Sequence, residues 1–114
     1  MIYDPKYPIF IFNDYVDMRK GHNTLSYVVT QQMDMELLSG SLFLFVSKSR
    51  KACKAIFFDS NGLVLIHKKI ERGRFMSFDN IQEVTEINSN ELTLILNGGQ
   101  IPISKSGKKL SVRK

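Results

Sequence analysis

Apolar residues change their spacing twice along the chain, and each change marks a change of element. The first run, "IFIFN" over residues 9–13, follows Pro8 and predicts a strand. From Met18 the spacing lengthens. Met18, Gly21, Leu25, Val28, Val29 and Met33 fall at three- and four-residue steps, one face of a helix. Asp17 is placed to cap that helix, with Asn23 and Thr24 as the fallback start. Gly21 inside it would cost roughly 0.5–1 kcal/mol relative to Ala, which predicts a close backbone approach at that point. "LLSGS" ends the segment as a loop. The spacing then shortens again, and three strands follow in quick succession: "SLFLFVS" (41–47), "KAIFFD" (54–59) and "LVLIHKK" (63–69). The last two are separated by Ser60-Asn61-Gly62, and Asn-Gly is a strong hairpin signal because both residues tolerate positive φ. A short strand is predicted over "EVTEI", 83–87. A second helix is predicted from Ser89, its N-cap, with Glu91 in the first turn, Leu92, Leu94, Ile95 and Leu96 along it, and Gly98 and Gly99 as the stop.

These elements predict an α+β fold: an antiparallel β-meander of three to five strands, covered on one face by two helices. One domain is expected over residues 1–104, and residues 105–114, with no core-forming pattern, are expected to be a flexible basic C-terminal tail. The apolar runs are far shorter than the 18 or so residues of a membrane span, and the N-terminus lacks the pattern of a signal peptide. A single cysteine, Cys53, makes no internal disulfide and fits a reducing compartment. The expected location is cytoplasmic and nucleoid-associated.

Charge changes the picture more than composition does. The net charge of +5 is unevenly spread. Residues 48–74 hold eight basic side chains against two acidic ones, the tail adds five basic residues, and residues 75–104 hold four acids and no base. Such asymmetry points to a polyanionic partner. The candidate nucleic-acid contacts are Arg19, Lys20, Lys48, Arg50, Lys51, Lys54, Lys68, Lys69, Arg72 and Arg74. Arg19 and Lys20 fall in the first turn of the predicted helix, the positive end of its dipole, where cations are disfavoured. Two accounts stand: the pair builds a phosphate site with the free N–H groups of the helix terminus, or Arg19 pairs with Asp14 or Asp17 while Lys20 is solvated. A close approach at Gly21 favours the first. Lys54, Lys68 and Lys69 sit at one end of the predicted hairpin and Arg72 and Arg74 continue from it, so all five are expected on one surface.

Catalytic chemistry has little support. Asp17 serves as a cap, Asp59 as a turn residue and Glu71 as a partner for Arg72 or Arg74, so no carboxylate trio is singled out. His22, His67 and Cys53 lack metal-ligand spacing. Cys53 lies near Lys51 and Lys54, which would lower its pKa, but no base is placed to use it. No catalytic residue, metal or cofactor is predicted. Phe43, Phe45, Phe57, Phe58 and Phe75 could stack on bases, but core packing is the stronger reading for most of them.

"DMRKG" (17–21), "SGSLFLF" (39–45), "KAIFFDSNGLVLIHKKIERGRF" (54–75) and "ELTLILNGG" (91–99) occur in that order. In combination they resemble the small accessory protein of insertion-sequence family sixty-six, TnpB or the Orf-two-like protein, which is unrelated to the RNA-guided nuclease of the same name. The resemblance covers about residues 5–99. The chain departs from the family's usual pattern at Phe57 and Phe58, where a tryptophan precedes the hairpin aspartate, and at Ser77 and Phe78, where Trp-Pro is usual. The resemblance implies a non-enzymatic role in DNA transposition beside a separate, larger transposase that carries the catalytic acids. DNA, bound largely through phosphates at the element ends, is one expected partner. The alternative is an interaction module whose main partner is the transposase.

Overall fold

The computed structural model describes residues 3–104, so the predicted tail, 105–114, lies outside the described residues. The apolar runs form five strands: β1 (Ile9–Tyr15), β2 (Leu42–Val46), β3 (Ala52–Asp59), β4 (Gly62–Lys69) and β5 (Thr85–Ile87). The α-helices are α1 (His22–Tyr27) and α2 (Ser89–Leu96). The strands form one sheet in the order β4-β3-β2-β1-β5, which gives an α+β fold.

The antiparallel meander runs through β2, β3 and β4. It stops there. β1 pairs parallel to β2, with Ile9 opposite Leu42 and Ile11 opposite Leu44, and β5 pairs antiparallel to the far side of β1. The connection is the cause. Parallel neighbours need a crossover of a dozen or more residues, usually containing a helix, and the chain between β1 and β2 provides one.

The cover also differs from the expected single face. Ile9, Ile11, Leu42, Leu44, Ala55 and Phe57 point to one side, where Ile95 of α2 and Phe75, Phe78 and Ile81 of the long connection after β4 bury them. Phe12, Phe43, Phe45 and Ile56 point to the other, against Leu25, Val28, Val29 and Met33. The central strands are apolar at successive positions, so each face requires its own cover.

α1 begins later than Asp17. Its N-cap is Gly21, with no capping side chain, and after Tyr27 the chain widens into a π-helical turn, Val28–Gln32, where the Met33 N–H reaches the Val28 carbonyl at 2.8 Å. A Cβ added at Gly21 would meet nothing within 4 Å, so no close approach explains that glycine. The β3–β4 ladder closes at Asp59 opposite Gly62, so the turn is Ser60-Asn61 rather than Asn61-Gly62, and Ser60 takes the left-handed conformation at φ 53°. The cap of α2 is Asn88, one residue before the predicted Ser89. The Asn88 side chain accepts the Glu91 N–H at 2.8 Å and the Glu91 carboxylate accepts the Asn88 N–H at 2.9 Å, a reciprocal capping box. At the other end Gly98 and Gly99 donate to the carbonyls of Ile95 and Leu94, and Gly98 adopts φ 86°.

Replacing Asn88 with Ala removes one half of that box. The expected loss is about 1 kcal/mol, roughly 5 °C in melting temperature; an unchanged thermal transition would show that packing of Ile95 alone holds α2 in place.

Candidate nucleic-acid interface

The topology brings one end of the sheet together from four places. β1 and β2 finish there, β3 starts there, and β4 finishes there, because Val46 pairs with Cys53 and Ala52 with Lys69. The loops at this end are the β1–α1 linker, the 47–51 turn and the 70–74 turn. They carry or adjoin all ten predicted basic residues. The backbone knits these loops to one another. Ser47 N–H donates to the Ala52 carbonyl, Ile70 N–H to the Lys51 carbonyl at 2.8 Å, and Phe75 N–H to the Arg50 carbonyl at 2.8 Å. Arg50 takes φ 62° to make this crossing.

Within this end the side chains separate, and the expectation that Lys54, Lys68, Lys69, Arg72 and Arg74 share one surface fails. Successive residues of a strand face opposite sides. Lys68 lies opposite Cys53 on the α2 face, and its Nζ donates to the Leu96 carbonyl at 2.6 Å, at the C-terminus of α2. Lys69 lies on the α1 face. Lys54 is on that face too, but it is 7% exposed and its Nζ donates to the Lys20 carbonyl at 2.7 Å. It ties the β1–α1 linker to the sheet.

A groove of about 550 Å³ opens between the β1–α1 linker and the 47–51 turn. Lys48, Lys51 and Lys69 stand around it, and Tyr15, Val16, Met18 and Ala52 line it with carbon. The Lys48 ammonium lies 5.4 Å from the centre of the Tyr15 ring. Lys51 Nζ donates to the Gly73 carbonyl at 2.6 Å, which holds the turn bearing Arg72 and Arg74 beside the groove. Arg50 turns away and lines neighbouring clefts, one of them shared with Asp14 and Asp79.

Arg19 and Lys20 precede α1 and are not in its first turn. The Asp17 carboxylate accepts the Arg19 N–H at 2.9 Å and pairs with the Arg19 guanidinium at 2.5 Å. Asp17 is thus occupied with a turn of its own, and a six-residue helix capped by Gly21 starts beyond it. Arg19 hydrogen bonds hold the Asp17 carboxyl well below the usual carboxylate range, so the pair is intact at neutral pH and dissolves only as pH falls through that lowered value. Of the two accounts of Arg19, pairing with Asp17 is the one the structure contains.

The other residues weighed from the sequence lie apart from the groove. Phe43, Phe45, Phe57 and Phe75 are buried in the two cores. Asp59 sits at the hairpin turn, at the opposite end of β4 from Glu71, and no group of three His, Cys, Asp or Glu among the described residues is placed to hold a metal ion. Cys53 is 3% exposed, and burial pushes its thiol up to about 11 despite the nearby Lys68. Proximity of lysines does not lower it, because desolvation outweighs their charge.

Residues 7–106 match the family described as IS66 Orf2 like protein. The chain belongs to that family. This supports an insertion-sequence accessory role. Among curated proteins it is 30% identical over 90 residues to Uncharacterized protein y4hO of Sinorhizobium fredii, covering 79% of this chain and 78% of that one. It is 29% identical over 68 residues to Uncharacterized protein y4jC of the same organism, covering 60% and 58%. No solved structure matches the chain. Among the described residues no helix is long and apolar enough to cross a membrane.

Tyr15 is the groove residue that sequence reasoning does not single out. Its signal is an aromatic residue at the end of the first strand, shortly before Asp17-Met18-Arg19-Lys20.

Two outcomes are expected. Lys54→Ala should cost about 2 kcal/mol by chemical denaturation, since it removes a charged hydrogen bond and strands the Lys20 carbonyl. Cys53 should resist thiol reagents at neutral pH and react on unfolding. Its raised pKa means the folded state loses stability only as pH climbs above the ordinary thiol range toward 11. Rapid labelling of the native protein would contradict that burial.

Proposed function

We propose that this chain is a non-enzymatic accessory protein of an insertion sequence that holds DNA phosphates at the basic end of its sheet, beside a separate transposase. The observation that carries the reading is how the cations are held. Among the described residues the ion pairs are Lys6–Asp4 and Arg19–Asp17. The ammonium groups of Lys51, Lys54 and Lys68 bond instead to backbone carbonyl oxygens. A carbonyl fixes an ammonium in place without cancelling its charge. At the groove this leaves Lys51 fixed and still charged beside Lys48 and Lys69, a positive potential that suits a phosphate backbone. Lys48, Lys51, Lys69, Arg72 and Arg74 are the proposed contacts, with Lys20 and Arg19 at the margin. Lys54 positions the linker, and Lys68 serves α2.

A second reading, an interaction module for the transposase, is favoured by a separate feature on the α2 face. A notch of about 230 Å³ is lined by apolar groups including Tyr3, Ile66, Leu92 and Leu96, and Ile66 is 44% exposed. The two readings use opposite faces, so variants separate them.

The test is a fluorescence titration of duplex DNA, element-end and scrambled, over a salt series. Replacing Lys48, Lys51 and Lys69 together with Ala should weaken both duplexes alike and flatten the salt slope by roughly 0.9 for each phosphate that is no longer neutralised. Lys68→Ala removes one cation from the other face and should leave the slope unchanged. A folded triple variant with unaltered affinity and slope would hand the lead to the transposase-docking reading.

A further inference from the structure

The groove is not shaped for phosphate alone. A surface that tracks only a duplex backbone needs cations and hydrogen-bond donors; it has no use for an apolar floor. Here three ammonium groups stand around carbon contributed by Val16, Met18, Ala52 and the Tyr15 ring. Tyr15 is 44% exposed at the end of a strand whose apolar residues are otherwise mostly buried. Among the described residues the aromatic pairs are Tyr3 with Phe57, Phe10 with Phe43 and Phe12 with Phe45, and none of them uses Tyr15. Its ring meets the Lys48 ammonium instead. The groove's volume of about 550 Å³ lies within the usual span of small-molecule sites, roughly 300–1,000 Å³.

We infer that this groove takes an unpaired nucleotide of a single strand, with its base against the Tyr15 ring and its flanking phosphates at Lys51 and Lys69. The inference rests on the phosphate-binding reading above and names its preferred substrate. The physical ground is access. Inside a duplex each base face is covered by the next base pair, so a side chain at the groove wall meets only edges and backbone. A single strand offers free π-faces, and an aromatic platform flanked by cations binds it with little sequence preference. Charge complementarity supplies the anionic half of this ligand, and the Tyr15 ring, over which the base would replace the Lys48 ammonium, supplies the planar half. The Asp17 carboxylate at the groove wall, which would repel a phosphate, is neutralised by Arg19 at 2.5 Å.

The experiment uses the full chain and three fluorescent probes at one salt concentration: oligothymidylate, an abasic strand of equal length, and a blunt duplex. Oligothymidylate is expected to bind more tightly than the abasic strand. Tyr15→Ala should lower affinity for oligothymidylate about tenfold, in line with roughly 1–3 kcal/mol for one stacked base. It should leave the duplex and the abasic strand unchanged. Tyr15→Phe should restore binding, and Tyr15→Leu, which keeps apolar bulk without a ring, should not. A melting curve for each variant checks folding, and Tyr15→Leu keeps the test decisive if Tyr15→Ala unfolds. If the duplex binds through the groove lysines but Tyr15→Leu leaves oligothymidylate binding intact, the stacking site is wrong and the phosphate reading survives. If no probe binds, both fail together.

Discussion

A strand buried on both faces sets the terms for this fold. Leu42–Val46 lies in the middle of the sheet, and all five of its residues are buried. Burying each of these side chains contributes roughly 1.5–3 kcal/mol, and none can contribute fully unless both faces are covered. The chain meets that demand with unequal covers. The α1 crossover and its π-helical extension close the side of Phe43 and Phe45, and the irregular 70–81 segment with α2 closes the side of Leu42, Leu44 and Val46. Asn13 fastens the irregular cover by donating to the carbonyls of Ile81 and Gln82 at 3.1 and 3.0 Å.

The position of the basic end follows from the same constraint. The crossover that covers one face must leave β1 at the end where β2 also finishes, since the two run parallel. The segment that covers the other face must leave β4 at that same end, since β3 and β4 turn back on β2. The three loops therefore meet whatever their sequences. Their lysines and arginines are brought together by topology, and the pleat then decides which face each one serves.

Much of this is legible in the sequence, and the failures have identifiable causes. Alternation and turn chemistry locate every strand to within a few residues, and Ser89 with Glu91 announces α2, one residue after its true cap. Sheet order is not legible in the same way. A strand, a helical pattern and another strand already form a βαβ unit, yet β1 passes for one more hairpin neighbour because nothing local distinguishes parallel from antiparallel pairing. The start of α1 is misplaced because Asp17 can cap a helix or bind its own turn, and Arg19 two residues on settles the choice through a guanidinium contact. For the site, the block of charge is plain while its division is hidden. Lys68 and Lys69 are neighbours in sequence and lie on opposite faces of the sheet. Lys54 looks like any surface lysine until the register places it beneath the linker.

Gathering like charges at one end of a small domain opposes folding through their mutual repulsion. The usual remedy is a carboxylate nearby, and the chain has acids to spare in residues 75–104. Among the described residues the ion pairs are Lys6–Asp4 and Arg19–Asp17, away from that stretch. Lys51, Lys54 and Lys68 are instead anchored on the carbonyls of Gly73, Lys20 and Leu96, three acceptors on three separate segments. Each contact fastens a loop, a linker or a helix end to the sheet, so the cations contribute to the architecture while remaining charged. A lysine anchored this way has already given up much of its rotamer freedom, and ordering such a side chain against an incoming anion therefore costs less entropy than ordering a free one. Lys51, the anchored lysine that lines the groove, therefore keeps its full charge in a position already fixed by the Gly73 carbonyl.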